Sequence, residues 1–331
     1  PSRGLGDVYK RQPLRIAVNY DIDSFQVHAS HVYRLNKENF FAYKEFVNYK
    51  DDFLKLNPIQ QLNGIDEAKE RINKRFSGEI GVDMNYSKKS AFGKSFDFRL
   101  IKKSKRIKIL IAPHCFYDSP HPFGDNLYTD VFDWLEALIK ISQKTDYDWY
   151  VKTHPDFLEK TKKMVIEIFE NHSNFTILPS DSSHLQIVKE GIDFALTMYG
   201  SIGFEYAAMN IPVINASLNN PHISFDFNIN PESIEEYENI LMNLKELDHD
   251  INKTDVYRYY YMHKLFHSQN WLFEDYDKVI DDLGGYYGQF APEMYQYWIN
   301  SWSSEKHQKI LNGLRGFIES GEYLYNPIKS I

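Results

Sequence analysis

The stretch FALTMYGSIGFEYAAMNIPVINA, residues 194–216, decides the fold. Its apolar opening, Phe194–Met198, has the length of a buried strand, and Ile211–Asn215 repeats that character at the other end. Between them, Gly200 and Gly203 flank Ser201 and Ile202 where a helix should open. Strand, glycine-lined turn, helix and strand in so short a span make a βαβ unit. The same alternation runs outward. Ile107–Ala112 is followed by a helical pattern at 128–143, Asp148–Thr153 by one at 156–171, and Phe175–Leu178 by a short one at 183–189. A last helix is expected at 232–247. Five such alternations predict an α/β domain whose parallel sheet is covered on both faces, and right-handed crossovers make it doubly wound.

The flanks read differently. Leu14–Asn19 has the look of a short strand, and 38–56 and 63–76 of helices. Residues 77–100, rich in Ser, Gly, Asn and Lys without periodicity, read as a linker. After 254 helices and aromatic segments follow, broken at Gly284-Gly285 and Pro292. Residues 1–12, PSRGLGDVYKRQ, resemble translated sequencing-adapter read-through and are set aside as a tag would be. On that reading the natural chain began further upstream, and Gly4-Leu5-Gly6 is no phosphate loop.

Composition narrows the function classes. The net charge of −8 argues against a nucleic-acid partner, which would need a basic excess on some face. The densest basic run, Lys102 to Lys108, reads as a solvated segment beside a strand rather than a phosphate or membrane contact. Cys115 is the single cysteine, so neither an internal disulfide nor a thiolate metal cage staples the fold. No apolar run approaches the ~20 residues of a membrane span, which leaves attachment to a membrane surface open.

Ligands of open α/β sheets bind beyond the carboxyl ends of the strands. Unusual residues gather there. After the first strand come His114, Cys115, Asp118, His121 and Asp125 in one loop. The spacing matches no recognised metal-ligand string, and the loop suits a charged substrate or simply histidines capping backbone groups. Asp118 and His121 are its functional candidates. After the second strand come Lys152, His154 and Pro155; proline biases His154 to extended geometry, so the imidazole ends the strand and can donate to a phosphate oxygen. After the fourth strand, Gly200, Ser201 and Gly203 open a helix, where unpaired N–H groups and the helix dipole favour an anion. Ser201 either adds its hydroxyl or serves as the N-cap, and Glu205 either holds ribose hydroxyls or complements the dipole. The pattern is neither the dinucleotide GxGxxG nor a Walker A loop.

The strings APHCFYDSPH (112–121), KTHP (152–155) and TMYGSIGFEYAAMNIPVINA (197–216), in this order, resemble the carboxyl-terminal half of bacterial GT-B glycosyltransferases. The likeness is to capsule and surface-polysaccharide synthesis proteins, and more distantly to Kdo transferases, sialyltransferases and CDP-glycerol glycerophosphotransferases. It covers 105–250 well and 13–100 poorly. It implies a GT-B-like fold with one complete Rossmann-like domain at 101–250, the remnant of an acceptor domain and linker at 13–100, and a helical extension at 251–331. It further implies a cytoplasmic transferase, at the inner membrane face or free of it, with a nucleotide-sugar as donor and a glycan or lipid-linked glycan as acceptor. No cofactor and no metal are expected. Donor contacts would fall to His114, Lys152, Pro155, Gly200, Ser201, Gly203 and Glu205, and catalysis to His154, with Asp118 or His121 as base. An epimerase or glycerophosphotransferase on the same scaffold, or a non-catalytic nucleotide- or glycan-binding protein, are the rival readings.

Overall fold

A computed structural model describes residues 12–27, 31–83, 87–116, 126–156, 159–266, 276–285, 288 and 291–325. The chain divides into two compact units, Pro1–Glu45 with His267–Ile331, and Phe46–Phe266. All but the last residue of the adapter-like segment lies outside the described residues. Residues 12–19 are helical, not the strand expected from Leu14–Asn19. A short apolar run fits either state, and this one meets no partner strand. In the first unit β1 (Ser24–Val27) and β2 (Val32–Leu35) then pair antiparallel, with Phe25 opposite Arg34.

The second unit begins with a short helix, α1 (Tyr49–Leu54), and a long one, α2 (Pro58–Phe76). The break between them is written in Asn57-Pro58. Asn57 caps α2 by accepting from the Gln60 N–H at 2.9 Å, and Pro58 sits in the first turn, where no N–H is missed. The buried side of α2 is Gly64, Ala68 and Ile72, one residue per turn. The stripe is small because α8 (Lys253–Tyr260) and the π-turn Tyr261–Leu265 lie against it, the Tyr261 ring over Gly64.

The five strands expected between 107 and 215 all form: β3 (Lys108–Ile111), β4 (Asp148–Val151), β5 (Phe175–Ile177), β6 (Phe194–Thr197) and β7 (Val213–Asn215). They make one parallel sheet in the order β5-β4-β3-β6-β7. Alternate residues enter opposite layers, as period-two geometry demands. Ile109, Ile111, Trp149, Val151 and Leu196 join one core cluster with α3 (Val131–Ser142), α4 (Glu159–Phe169) and α7 (Ile234–Met242). Leu110, Tyr150, Ala195 and Val213 join another with α5 (His184–Lys189) and α6 (Ile202–Ala208). Helices on both faces and that strand order define a doubly wound, Rossmann-like α/β domain. The order reverses between β3 and β6, where crevices form at the carboxyl edge.

The described residues of 77–100 carry no helix or strand, as expected of a linker, yet they are packed. Phe92 and Leu100 are buried, the Ser183 N–H donates to the Lys94 carbonyl, and Glu190 accepts from the Leu100 and Ile101 N–H groups at 2.7 and 2.8 Å. The compact unit that holds the sheet thus also takes in 46–100 and 251–266.

Beyond 266 the chain re-enters the first unit with α9 (Tyr276–Asp282), α10 (Pro292–Ser301), α11 (Gln308–Ser320) and a final strand, β8 (Leu324–Tyr325), which pairs with β2. Among the described residues beyond 266, the regular elements are helices apart from that strand. Arg34, 5% exposed, caps the end of α11, donating to the Phe317 and Ile318 carbonyls at 2.8 Å each. Among the described residues, no helix is long and apolar enough to cross a membrane.

Candidate functional site

A cavity of about 480 Å³ opens at the carboxyl edge of the parallel sheet, inside the second unit. The segment after β3 contributes Pro113, His114 and Cys115; the segment after β4, Lys152, His154 and Asp156; the segment after β6, Tyr199, Gly200 and Ser201. β3 and β6 are the strands between which the order reverses. From the remainder of the unit come Arg75, Asp83, Glu205, Tyr259, His263 and Lys264.

Lys152 prolongs β4, its N–H donating to the Ile111 carbonyl at 3.1 Å. Its side chain is 2% exposed and makes no ion pair among the described residues. The Nζ lies 3.2 Å from Nε2 of His184, whose Nδ1 is 2.9 Å from the Tyr206 hydroxyl. An ammonium can only donate, so Nε2 accepts and the ring proton sits on Nδ1, facing Tyr206. Burial pushes Lys152 down to about 8, although the charges of Glu205 and Asp181 raise it. His184, fully enclosed, is held well below the usual histidine range, first by burial and then by the charge of Lys152.

His154 ends the β4 extension before Pro155. Its Nδ1 accepts from the Asp156 N–H at 3.1 Å, so the neutral ring carries its proton on Nε2 as a donor. Burial lowers its pKa, opposed by Glu205 and reinforced by Lys152. Pro155 is buried behind it and does not line the cavity.

The turn after β6 departs from expectation. The Gly200 N–H donates to Thr197 Oγ1 at 3.1 Å, and the Gly203 N–H to the Gly200 carbonyl at 3.1 Å. Those two amides are therefore spoken for within the turn and are not anion donors. Ser201 stands at the N-cap position but makes no side-chain cap bond; its φ and ψ are helical, and its hydroxyl donates to Glu205 Oε1 at 3.0 Å. Gly203 lies off the cavity. A Cβ there would come within 2.3 Å of the His222 ring, so the glycine serves close packing rather than a ligand. Glu205, 3% exposed, pairs with Arg75, which donates to it through Nε at 2.8 Å and again through Nη2. Arg75 also holds Asp83 at 3.0 Å, and Asp83 accepts from the Tyr260 hydroxyl. A carboxylate so engaged is first a structural partner.

Of the residues singled out in sequence, the fold brings His114, Lys152, His154, Gly200, Ser201 and Glu205 to one cavity, and leaves Pro155 and Gly203 off its lining. Asp118 and His121 lie outside the described residues. Sequence reasoning missed Arg75 and His184. A signal existed for His184: it follows β5, and the same carboxyl-edge rule applied to the third strand would have found it. Arg75 had none, since Glu205 lies 130 residues away and Asp83 sits beyond the helix end in a stretch without periodicity.

The class is thus set by the sheet's own order: a doubly wound α/β domain with a cavity at its switch point. No protein-family model matches the chain, and no curated protein does. Among solved structures it is similar to the beta Kdo 2,4 transferase of Thermosulfurimonas dismutans KpsC, at 11% identity over 75% of either chain and a TM-score of 0.43. It is similar to the beta Kdo 2,7 transferase of the same KpsC at 9% identity, over 78% of this chain and 80% of that one, TM-score 0.40. It is also similar to the wall teichoic acid polymerase TagF at 14% identity, over 66% of this chain and 47% of that one, TM-score 0.31.

Proposed function

We propose that the chain is a metal-independent GT-B glycosyltransferase that moves a sugar from a nucleotide-sugar to a surface polysaccharide or its lipid-linked precursor, working at the cytoplasmic face of the membrane. One observation carries this: a buried lysine without a carboxylate partner lines the switch-point cavity beside a histidine whose neutral ring is a donor. A buried ammonium is costly to desolvate and is satisfied by an anion. The phosphate of a nucleotide-sugar is such an anion.

In this reading Lys152 and His154 take the charge that develops as the sugar–phosphate bond breaks and the nucleotide departs. Donors fixed before the reaction need no reorganisation when charge appears. Arg75 offsets one of the two negative charges of Glu205 and Asp83, which lessens the wall's repulsion of the donor. His114 and Ser201 border the same space as further donor contacts. The new glycosidic bond forms to an acceptor hydroxyl whose proton goes to Asp118 or His121. A polysaccharide acceptor would bring the enzyme to the membrane surface without a span.

The test is incubation of the protein with a panel of nucleotide-sugars and a glycan acceptor. Free nucleotide together with an elongated acceptor is expected. An isomerised donor would make it an epimerase, and tight nucleotide binding without turnover a binding protein. His154→Ala should lower turnover by about 10²–10³, the worth of one preorganised donor, with little loss of stability. Transfer at the wild-type rate by that variant would remove His154 from the mechanism.

A further inference from the structure

We infer that His184 is a positioning residue: it accepts a hydrogen bond from the Lys152 ammonium, is itself held by Tyr206, and so aims that charge at the anion bound in the cavity. The inference rests on the reading that the cavity takes a phosphate-bearing ligand.

The three side chains form a hydrogen-bonded chain, Nζ to Nε2 at 3.2 Å and Nδ1 to the Tyr206 oxygen at 2.9 Å, all at or below 5% exposure. A lysine stem has four rotatable bonds and points nowhere by itself. A carboxylate partner would fix its direction but cancel its charge. A neutral imidazole fixes the direction and leaves the charge intact. The Lys152 ammonium selects the tautomer, and the Tyr206 hydroxyl, accepting the Nδ1 proton, holds the ring in place. The other charged and titratable groups around this chain are Glu205 on α6, Asp181 before α5, His154 after β4 and Arg75 on α2. Glu205 is taken by Arg75, and Asp181 by Lys94 at 2.9 Å. Neither competes for the lysine.

An acceptor favours the charged form of its donor. Removing it should lower the lysine's proton affinity as well as free its stem. A fall of one pKa unit cuts the charged fraction about tenfold once the pH lies above both values, and hardly at all well below them. The experiment measures inorganic pyrophosphate binding to the full chain by calorimetry at pH 6.5 and 8.5, in wild type, H184F, H184Q and Y206F. In parallel, NMR of ¹⁵N-lysine follows the Lys152 titration, with K152M identifying its signal. H184F should bind slightly more weakly at pH 6.5 and roughly tenfold more weakly at pH 8.5. H184Q, whose amide oxygen can accept, should recover most of the loss, and Y206F should fall between. The Lys152 midpoint should drop in H184F and, to a lesser degree, in Y206F. A folded H184F with the wild-type midpoint and wild-type affinity at both pH values overturns the inference. If H184F does not fold, an unchanged midpoint and affinity in Y206F overturns it instead. Should wild type bind no pyrophosphate at all, the donor reading fails, while the midpoints still decide the role of His184.

Discussion

Replacing Lys152 by methionine should make the protein more stable at neutral pH while removing its function. Burial depresses the Lys152 pKa from the ordinary 10.5 to about 8. Each tenfold change in proton affinity is worth about 1.4 kcal/mol, so keeping the ammonium in the folded state at pH 7 costs on the order of 3 kcal/mol. Methionine fills a similar volume and has no charge to bury. Against that gain stands His184, whose Nε2 loses its donor, an orphaned acceptor worth about 1–3 kcal/mol. The balance at pH 7 favours Lys152→Met by about 1 kcal/mol, or about 2–4 °C in Tm. The pH dependence is the sharper readout. Between pH 8 and 10.5 the unfolded lysine still holds a proton that the folded one has released, so wild-type stability rises with pH across that window. The methionine variant has no such rise. Its advantage should therefore shrink by about 2 kcal/mol between pH 7 and 9.5, and change sign. Urea unfolding of both proteins at those two pH values measures it. A difference that stays constant with pH would refute the claim that Lys152 is held as a desolvated cation.

Other perturbations follow from the same coordinates. Arg75→Met strands Asp83 and Glu205 as buried charges and should destabilise the second unit by about 3–5 kcal/mol in denaturant unfolding. Gly203→Ala drives a methyl into the His222 ring and toward Asn228, and should cost about 1–3 kcal/mol by overpacking, read as a lower denaturation midpoint. Gly316→Ala, on an exposed stretch of α11 with nothing within 4 Å of the new Cβ, should stabilise by about 0.5–1 kcal/mol in the same assay.

What was legible in the chain was what local pattern decides. The five strands from Lys108 to Asn215 are apolar runs with helical repeats between them, and the carboxyl-edge rule then led to Lys152, His154 and Ser201. What was not legible depends on distant partners. Arg75 looks like any basic residue near a helix end until Asp83 and Glu205 are seen on either side of it. Gly203 invited a phosphate reading because the ring that requires its small size, His222, comes from a later loop. Residues 77–100 lack periodicity because side-chain and carbonyl bonds to α5, not a helix or a strand, hold them. β8 is two residues long, too short for any repeat to mark.

That last pairing bears on the order in which the protein can be completed during synthesis. Val32 and Tyr33 in β2 lie opposite Tyr325 and Leu324, so one flank of β2 waits until that distant segment has been translated. The second unit, contiguous from Phe46 to Phe266, has no such wait and can close its core while the ribosome is still at work. Until the final strand arrives, β2 offers open backbone donors and acceptors beside apolar side chains, the kind of surface that recruits a neighbouring nascent chain. Its safe burial is a matter of timing as much as of affinity.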